Sequence, residues 1–277
     1  MTGRGITIGV NSIDPLHYGT DGSLMSCEND AKAIASLAEK KGFVVKTLLT
    51  KDAIRNSVIS EIKRASNELT TGDIFLCYYS GHGGQLPDKN DDELEGYDQT
   101  WCLHDAQLVD DELYSLFAGF SDKVRILVIS DSCHSGSVTK RAVFNPILDT
   151  NQTNISKDGI QYKFLPRKFV YETYEKNKDF YDEIINNINF RKAISEVKAP
   201  SLLLAACQDN QYARAGMDLS LYTDKFLKVW DDGKFEGTYD TFHYKVQNII
   251  MLADQSPNYF PFGQNYADFE SQSPFTI

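Results

Sequence analysis

Val124-Arg125-Ile126-Leu127-Val128-Ile129-Ser130-Asp131-Ser132-Cys133-His134-Ser135-Gly136 passes from near-continuous apolar residues into small and polar ones. Such a run, rich in β-branched residues and stopped by Ser and Gly, reads as a strand buried on both faces, with a cysteine at its carboxyl end. Upstream, Asp73-Ile74-Phe75-Leu76-Cys77-Tyr78-Tyr79 has the same character and ends in Ser80-Gly81-His82-Gly83-Gly84. Two strand ends therefore offer a thiol and an imidazole, the pair a cysteine hydrolase needs.

Around these two runs, strand and helix patterns alternate. Ile6–Val10 is β-branched, and Cys27–Lys40 repeats apolar residues at helical spacing through Ala31, Ile34, Leu37 and Ala38. Phe43–Leu49 reads as a strand and Thr50–Leu69 as a helix carrying Ile54, Val58, Ile62 and Ala65. A polar loop, 85–99, precedes a short strand at Thr100–Leu103 and a helix at Asp110–Ala118. From Ser137 to Lys168 the periodicity dissolves among polar residues, Pro146, Gly159 and Pro166, which predicts an exposed loop. Helical spacing resumes over Phe169–Val197, Leu219–Trp230 and Thr238–Leu252, and Ser201–Ala206 is another apolar run. The alternation predicts an α/β fold on a mostly parallel sheet, with ligands bound beyond the strands' carboxyl ends. The aromatic tail containing Tyr259-Phe260-Pro261-Phe262-Gly263 is expected to pack against that sheet.

The chain has 277 residues, 42% of them hydrophobic, which suits one domain with a sizeable core. Its five cysteines, Cys27, Cys77, Cys102, Cys133 and Cys207, form no CxxC pair, so neither a zinc site nor a disulfide framework is indicated. Without a signal-peptide core at the N-terminus or an apolar stretch of membrane-spanning length, the expected location is cytoplasmic and no membrane partner is expected. A net charge of −11 argues against nucleic acid as a partner, while permitting an acidic pocket for a basic ligand.

A cysteine acts as thiolate, so it needs a base, some exposure and donors for the developing oxyanion. Cys133 with His82 meets these requirements, and the backbone N–H groups of Gly83 and Cys133 are the expected oxyanion donors. Singly, a cysteine at a strand end is more often a small buried hydrophobe and a lone histidine more often structural; the paired contexts reverse those odds. His134 is not the expected partner, because neighbours on an extended segment point to opposite faces.

Tyr79-Ser80-Gly81-His82-Gly83 and Asp131-Ser132-Cys133-His134-Ser135-Gly136 resemble the paired signatures of the metacaspases, the caspase-like cysteine peptidases of peptidase C14 type. Their separation, 133 − 82 = 51, is near the ~50 residues between histidine and cysteine in caspases. The Gln-Ala-Cys signature of true caspases is missing, which points to the metacaspase or bacterial caspase-like branch. Ser26-Cys27-Glu28-Asn29-Asp30-Ala31, Val109-Asp110-Asp111-Glu112-Leu113 and Ala206-Cys207-Gln208-Asp209-Asn210-Gln211 extend the resemblance over most of the chain. It implies the caspase-hemoglobinase fold, an α/β/α sandwich in a single domain, 1–277. Within it, 1–138 corresponds to the large subunit, 139–168 to a loop and 169–277 to the small subunit.

By the same resemblance, His82 is general base and Cys133 nucleophile, acting through a thioester. Cys27, Asp30, Ser80 and Asp131 form a pocket for substrate Arg or Lys, where two carboxylates facing a guanidinium would reject an acidic residue. Taken alone, Asp30 is an ordinary helix N-terminal acid and Asp131 a turn former. The resemblance offers Asp98, Asp110 and Asp111 as calcium ligands; Lys140 stands where the family has a fourth aspartate, which puts calcium activation in doubt. No cofactor is required for the chemistry. Lys140-Arg141, and secondarily Arg167-Lys168, are the expected self-cleavage points. The implied partners are proteins or peptides with basic residues, together with a small-molecule activator, and the implied state is a monomer. Alternatives from other classes are an inactive or ligand-gated caspase-like binding module in a bacterial stress or defence system, and a thiol acyltransferase using the same dyad.

Overall fold

The strands are β1 (Gly3–Gly9), β2 (Phe43–Leu49), β3 (Ile74–Ser80), β4 (Gly83–Pro87), β5 (Tyr97–Cys102), β6 (Gln107–Val109), β7 (Arg125–Asp131), β8 (Ser201–Ala205) and β9 (Asn258–Phe262). They come from a computed structural model describing residues 1–87, 97–133, 152–187, 193–208 and 211–277. Six of them form one sheet in the order β2-β1-β3-β7-β8-β9, parallel except for the antiparallel edge strand β9. The aromatic tail thus joins the sheet through its backbone. A smaller antiparallel sheet, β4-β5-β6, lies beside it.

The helices are α1 (Pro15–Tyr18), α2 (Cys27–Lys40), α3 (Arg55–Glu68), α4 (Asp110–Ala118), α5 (Arg167–Lys176), α6 (Lys178–Ile185), α7 (Ala193–Glu196), α8 (Leu221–Trp230), α9 (Tyr239–Ile249) and α10 (Tyr266–Glu270). Period-two alternation assigns each side of the sheet its own helices. Phe75, Cys77 and Tyr79 of β3 and Ile126 and Val128 of β7 join Val58 and Ile62 of α3 and Leu113 and Phe117 of α4. The intervening Leu76, Tyr78, Leu127 and Ile129 pack with Ile34 and Leu37 of α2, Phe226 of α8 and Phe242 of α9. The result is the expected α/β/α sandwich. No helix among the described residues is long and apolar enough to cross a membrane.

Four expectations are corrected: the loop expected over 85–99 supplies residues to β4 and β5, the helical spacing over Phe169–Val197 is divided among α5, α6 and α7, and two further corrections concern α3 and the stretch before α5. The helix expected from Thr50 begins at Arg55, after a 3₁₀ turn over Thr50–Asp52. The Arg55 N–H donates to the Asp105 carboxylate at 2.9 Å, a start signal supplied by a residue remote in sequence. The segment expected to be an exposed loop contains a fully buried stretch, Tyr162–Leu165. Its polar backbone is tolerated there because other strands and loops satisfy it, as the site below makes clear.

Arg55 also ties α3 to the small sheet and α4. It reaches Glu112 bidentately at 2.9 and 2.7 Å and donates to the Gln107 carbonyl at 2.7 Å. Breaking one partner of a largely buried pair leaves the other charge uncompensated. Arg55→Met should therefore cost about 3 kcal/mol in denaturant unfolding; a change under ~1 kcal/mol would mean that the pair is screened.

His243 of α9 is buried without a hydrogen-bond partner for Nδ1 among the described residues, and burial lowers its pKa from 6.5 to about 4. Between those values the unfolded chain binds a proton that the folded chain does not, so this group contributes a loss of stability as pH falls from 6.5 towards 4. His243→Leu should narrow by a few degrees the Tm difference between pH 7.5 and 4.5, an order of magnitude set by ~2–4 °C per kcal/mol in a chain of this size. An unchanged difference would count against the assignment.

Candidate active site

Register supplies the first juxtaposition. Ser80, at the end of β3, pairs with Asp131, at the end of β7, so the chain beyond each strand leaves from the same edge. His82 and Gly83 follow one end; Ser132 and Cys133 follow the other. Gly83 packs so tightly on the second turn that a Cβ there would lie 1.7 Å from the Cys133 carbonyl oxygen, which leaves glycine as the residue that fits. The His82 turn is pinned from behind: the Tyr79 hydroxyl donates to the carbonyls of His82 (2.7 Å) and Cys102 (3.0 Å), and its ring stacks on Trp101 at 4.6 Å.

A third element brings the acid. Gly9 at the end of β1 lets the first turn of α2 approach, since a Cβ there would lie 2.3 Å from the Cys27 carbonyl oxygen. This close packing seats Asp30 fully buried beside Ser80 and Asp131. Asp30 accepts from Ser80 Oγ (2.7 Å), the Ser220 N–H (2.8 Å) and Ser220 Oγ (2.5 Å). Asp131 accepts from Thr223 Oγ1 at 2.6 Å. Ser220 and Thr223 belong to the start of α8, so the dipoles of two helix N-termini favour the paired carboxylates. Cys27 is buried alongside, and burial pushes its thiol up to about 12.

Between the two carboxylates lies Lys163, itself fully buried. Its Nζ is 2.8 Å from Asp131 Oδ1 and 3.3 Å from Asp30 Oδ2, and donates to Ser80 Oγ (2.9 Å) and the Asp131 carbonyl (3.0 Å). Burial opposes its charge, but Asp131 and Asp30 outweigh that and raise its pKa above the usual lysine value. The Lys163 carbonyl accepts from the N–H groups of Gly83 (2.9 Å) and Cys133 (3.2 Å). On the preceding side, Lys163 N–H donates to Ala213 and Ala215 N–H to Gln161, each at 2.9 Å, as antiparallel strands do. On the following side, Leu165 N–H donates to Gly83 at 2.9 Å, and Phe164 stands 4.9 Å from Tyr212, ring to ring.

His82 Nε2 lies 2.8 Å from the Gly22 carbonyl oxygen. A carbonyl only accepts, so Nε2 carries the hydrogen and Nδ1 the lone pair. Nδ1 is buried without a hydrogen-bond partner among the described residues. Burial, with Lys163 adding, lowers the His82 pKa from 6.5 to about 4, against the Gly22 carbonyl and the Phe164 backbone. Burial and the neighbouring Cys207 push the Cys133 thiol well above its ordinary value, although the Ala213 N–H donates to its sulfur at 3.0 Å. Both members of the pair are neutral with Lys163 in place.

The structure therefore gathers His82, Gly83, Cys133, Cys27, Asp30, Ser80 and Asp131 at one edge. Asp98 is buried on β5, and Asp110 and Asp111 open α4. Among the described residues, no group of three or more His, Cys, Asp or Glu side chains forms a metal-ligand set. His134, Lys140 and Arg141 lie outside the described residues; Arg167 and Lys168 open α5 on the exposed surface. Sequence reading gives no role to Lys163, Ser220, Thr223 or Ala213. The available signal for Lys163 is a single cation bracketed by Tyr162 and Phe164 within an otherwise polar stretch.

Relatives of known identity share this framework. A family model of the caspase domain, peptidase C14, matches residues 3–267. Metacaspase-2 of Trypanosoma brucei brucei is 31% identical over 154 residues, covering 50% of this chain and 43% of its own length. Metacaspase-1A of Neurospora crassa is 34% identical over 150 residues (49% and 32%), and metacaspase-6 of Arabidopsis thaliana is 31% identical over 157 (51% and 40%). The matches span less than half the length of these curated relatives. A Geobacter sulfurreducens protein of known crystal structure is 42% identical and superimposes with a TM-score of 0.89, over 100% of this chain and 99% of that one. With the caspase-domain match running through nearly every element described above, the chain belongs to the caspase-domain family, peptidase C14.

Proposed function

We propose that this chain is a cysteine endopeptidase that cleaves after Lys or Arg through His82 and Cys133. The observation that carries the reading is Lys163, whose ammonium sits between two buried carboxylates while its own carbonyl accepts from the Gly83 and Cys133 N–H groups. A residue held this way has its basic side chain in a pocket and its carbonyl polarised beside a cysteine. A substrate Lys or Arg bound in its stead would be oriented for attack.

In the proposed reaction, Nδ1 of His82 takes the thiol proton and Cys133 Sγ attacks the substrate carbonyl carbon. The two N–H groups stabilise the oxyanion. The protonated imidazole gives its proton to the leaving amine as the C–N bond breaks, leaving a thioester. Water, deprotonated by His82, then hydrolyses the thioester. The enzyme is latent while the 161–165 stretch fills the cleft, because the burial that makes the thiol and imidazole neutral also excludes substrate.

Asp131 and Asp30 set specificity through charge, and an acidic substrate residue would bring a third carboxylate among them. In fluorogenic peptides differing only at the residue before the scissile bond, Lys and Arg should be cleaved and Asp should not; preferential cleavage after Asp would sink the pocket assignment. Asp131→Asn should lower kcat/KM for the Arg peptide by about 100-fold, since it removes one partner of a desolvated charge pair. Cys133→Ser should abolish turnover, and retained activity would refute the nucleophile.

A further inference from the structure

We infer that the site also selects the residue before the basic one, and that Tyr212, Arg214 and Asp254 form a recess for a substrate tyrosine there. The inference rests on the proposed endopeptidase reading. Here the recess is filled by Tyr162, one residue before Lys163 and 2% exposed. Its hydroxyl donates to Asp254 Oδ2 at 2.7 Å, and its ring centre is 5.7 Å from that of Tyr212. A tyrosine on a carboxylate is, on its own, a tether that holds a loop down. Two features go beyond that role. The backbone aligns whatever residue stands at this position, and the groups that receive its side chain are held by parts of the chain outside the 161–165 stretch.

Alignment comes from the antiparallel bridge in which Tyr162 faces Arg214. Lys163 N–H donates to the Ala213 carbonyl and Ala215 N–H to the Gln161 carbonyl, each at 2.9 Å. These bonds flank the pair and leave 162 and 214 in the narrow position, where opposed side chains come closest. Side chains alternate in direction along an extended segment, so a residue whose successor enters the acidic pocket turns its own side chain towards Arg214. The Arg214 guanidinium in turn grips Asp254, with one terminal nitrogen 2.7 Å from Oδ1 and 2.8 Å from Oδ2 and Nε 3.1 Å from Oδ2. Arg214 N–H donates to Gln255 Oε1 (3.0 Å), Gln255 Nε2 to the Ala206 carbonyl (3.1 Å) and Tyr212 N–H to the Asp254 carbonyl (2.9 Å). Asp254 thus presents a carboxylate oxygen, oriented beforehand, at the end of a recess walled by an aromatic ring. A tyrosine satisfies both features, whereas a phenylalanine fills the space and leaves that oxygen's hydrogen bond unmade. A glutamate sets a second carboxylate against the first, and an arginine brings a second guanidinium opposite Arg214. Upstream the constraint relaxes. Ile155 and Gln161 close a hairpin through Gly159, and beside it opens a groove of about 670 Å³ with the exposed Met25 and Met217 on its rim, so selection falls off there.

The test measures kcat/KM of the full-length chain, with and without added calcium, on coumarin-amide peptides. The series is acetyl-Gln-X-Lys with X as Tyr, Phe, Arg or Glu, together with acetyl-Gln-Tyr-Arg. Tyr should exceed Phe by about 10-fold, the scale of one hydrogen bond to a charged acceptor, and should also exceed Arg and Glu. Asp254→Ala should bring the Tyr-to-Phe ratio to about 1. A merely structural role would slow both peptides alike and leave the ratio where it was. Asp254→Asn, closer in shape should the Ala variant unfold, should lower the ratio to about 3-fold, since a neutral acceptor is worth roughly half a charged one. Equal cleavage of the Tyr and Phe peptides by wild type, faster cleavage of the peptide with Arg before Lys, or a 10-fold ratio that survives Asp254→Ala would overturn this inference and leave the proposed function standing. If no peptide ending in Lys or in Arg is cleaved, both fall.

Discussion

The interaction on which the rest depends is the buried contact of one ammonium with two carboxylates. Isolated, either carboxylate would be very costly away from water. Here each is met by hydroxyl donors and by the first turn of α8, and Lys163 neutralises one of the two charges. The partners come from β3, β7, α2, α8 and the strand-like stretch at 163, so elements far apart in sequence must all be in place before any pays its desolvation cost. Ser80 illustrates the economy of this arrangement. It donates to Asp30, accepts from Lys163, and sits opposite Asp131 in the sheet. The sheet register that aligns the strand ends is therefore also what assembles the pocket.

The same burial shifts the ionisation of His82 and Cys133. Desolvation always penalises the charged form, so it lowers the imidazole and raises the thiol, moving the two pKa values apart. In the proposed reaction, proton transfer from Cys133 to His82 is then uphill while the Lys163 carbonyl accepts from the Gly83 and Cys133 N–H groups. Geometry and ionisation have been separated. On the proposed reading, solvent access to His82 and Cys133 governs their reactivity.

Much of this fold was legible because its signals are local. Apolar residues at i, i+3, i+4 and i+7 delimit α2 at Cys27–Lys40, and the short apolar face of α4 delimits Asp110–Ala118. The apolar runs of β3 and β7 fix both their strand character and their double burial. The start of α3 was not legible, because the carboxylate that receives the Arg55 N–H belongs to Asp105. The Ser137–Lys168 expectation failed at Tyr162–Leu165 for a related reason. Composition predicts exposure by assuming that polar groups seek water, whereas these find their donors and acceptors in Gly83, Cys133, Ala213 and two aspartates. Ser220 and Thr223 were invisible as well, since small hydroxyl residues at a helix start usually serve their own helix.

This pattern bears on how the site residues divide. The resemblance supplied side chains that belong to short motifs, those of the pocket lying at the ends of β3 and β7 and at the start of α2. The elements it could not supply, the hairpin leading into Lys163 and the Ala213–Ala215 stretch opposite it, contact the motifs mainly through backbone hydrogen bonds. Backbone pairing specifies extended conformation and register but tolerates many side chains, so it leaves little trace in a sequence. The ammonium of Lys163 is the exception, because an acidic pocket cannot tolerate an arbitrary occupant. Chemical selectivity at this site is thus strongest at one side chain, while the adjoining residues chiefly contribute alignment. A chain segment satisfying both conditions competes with any external peptide by being permanently tethered beside the pocket, and effective concentration favours it over a diffusing ligand with the same contacts.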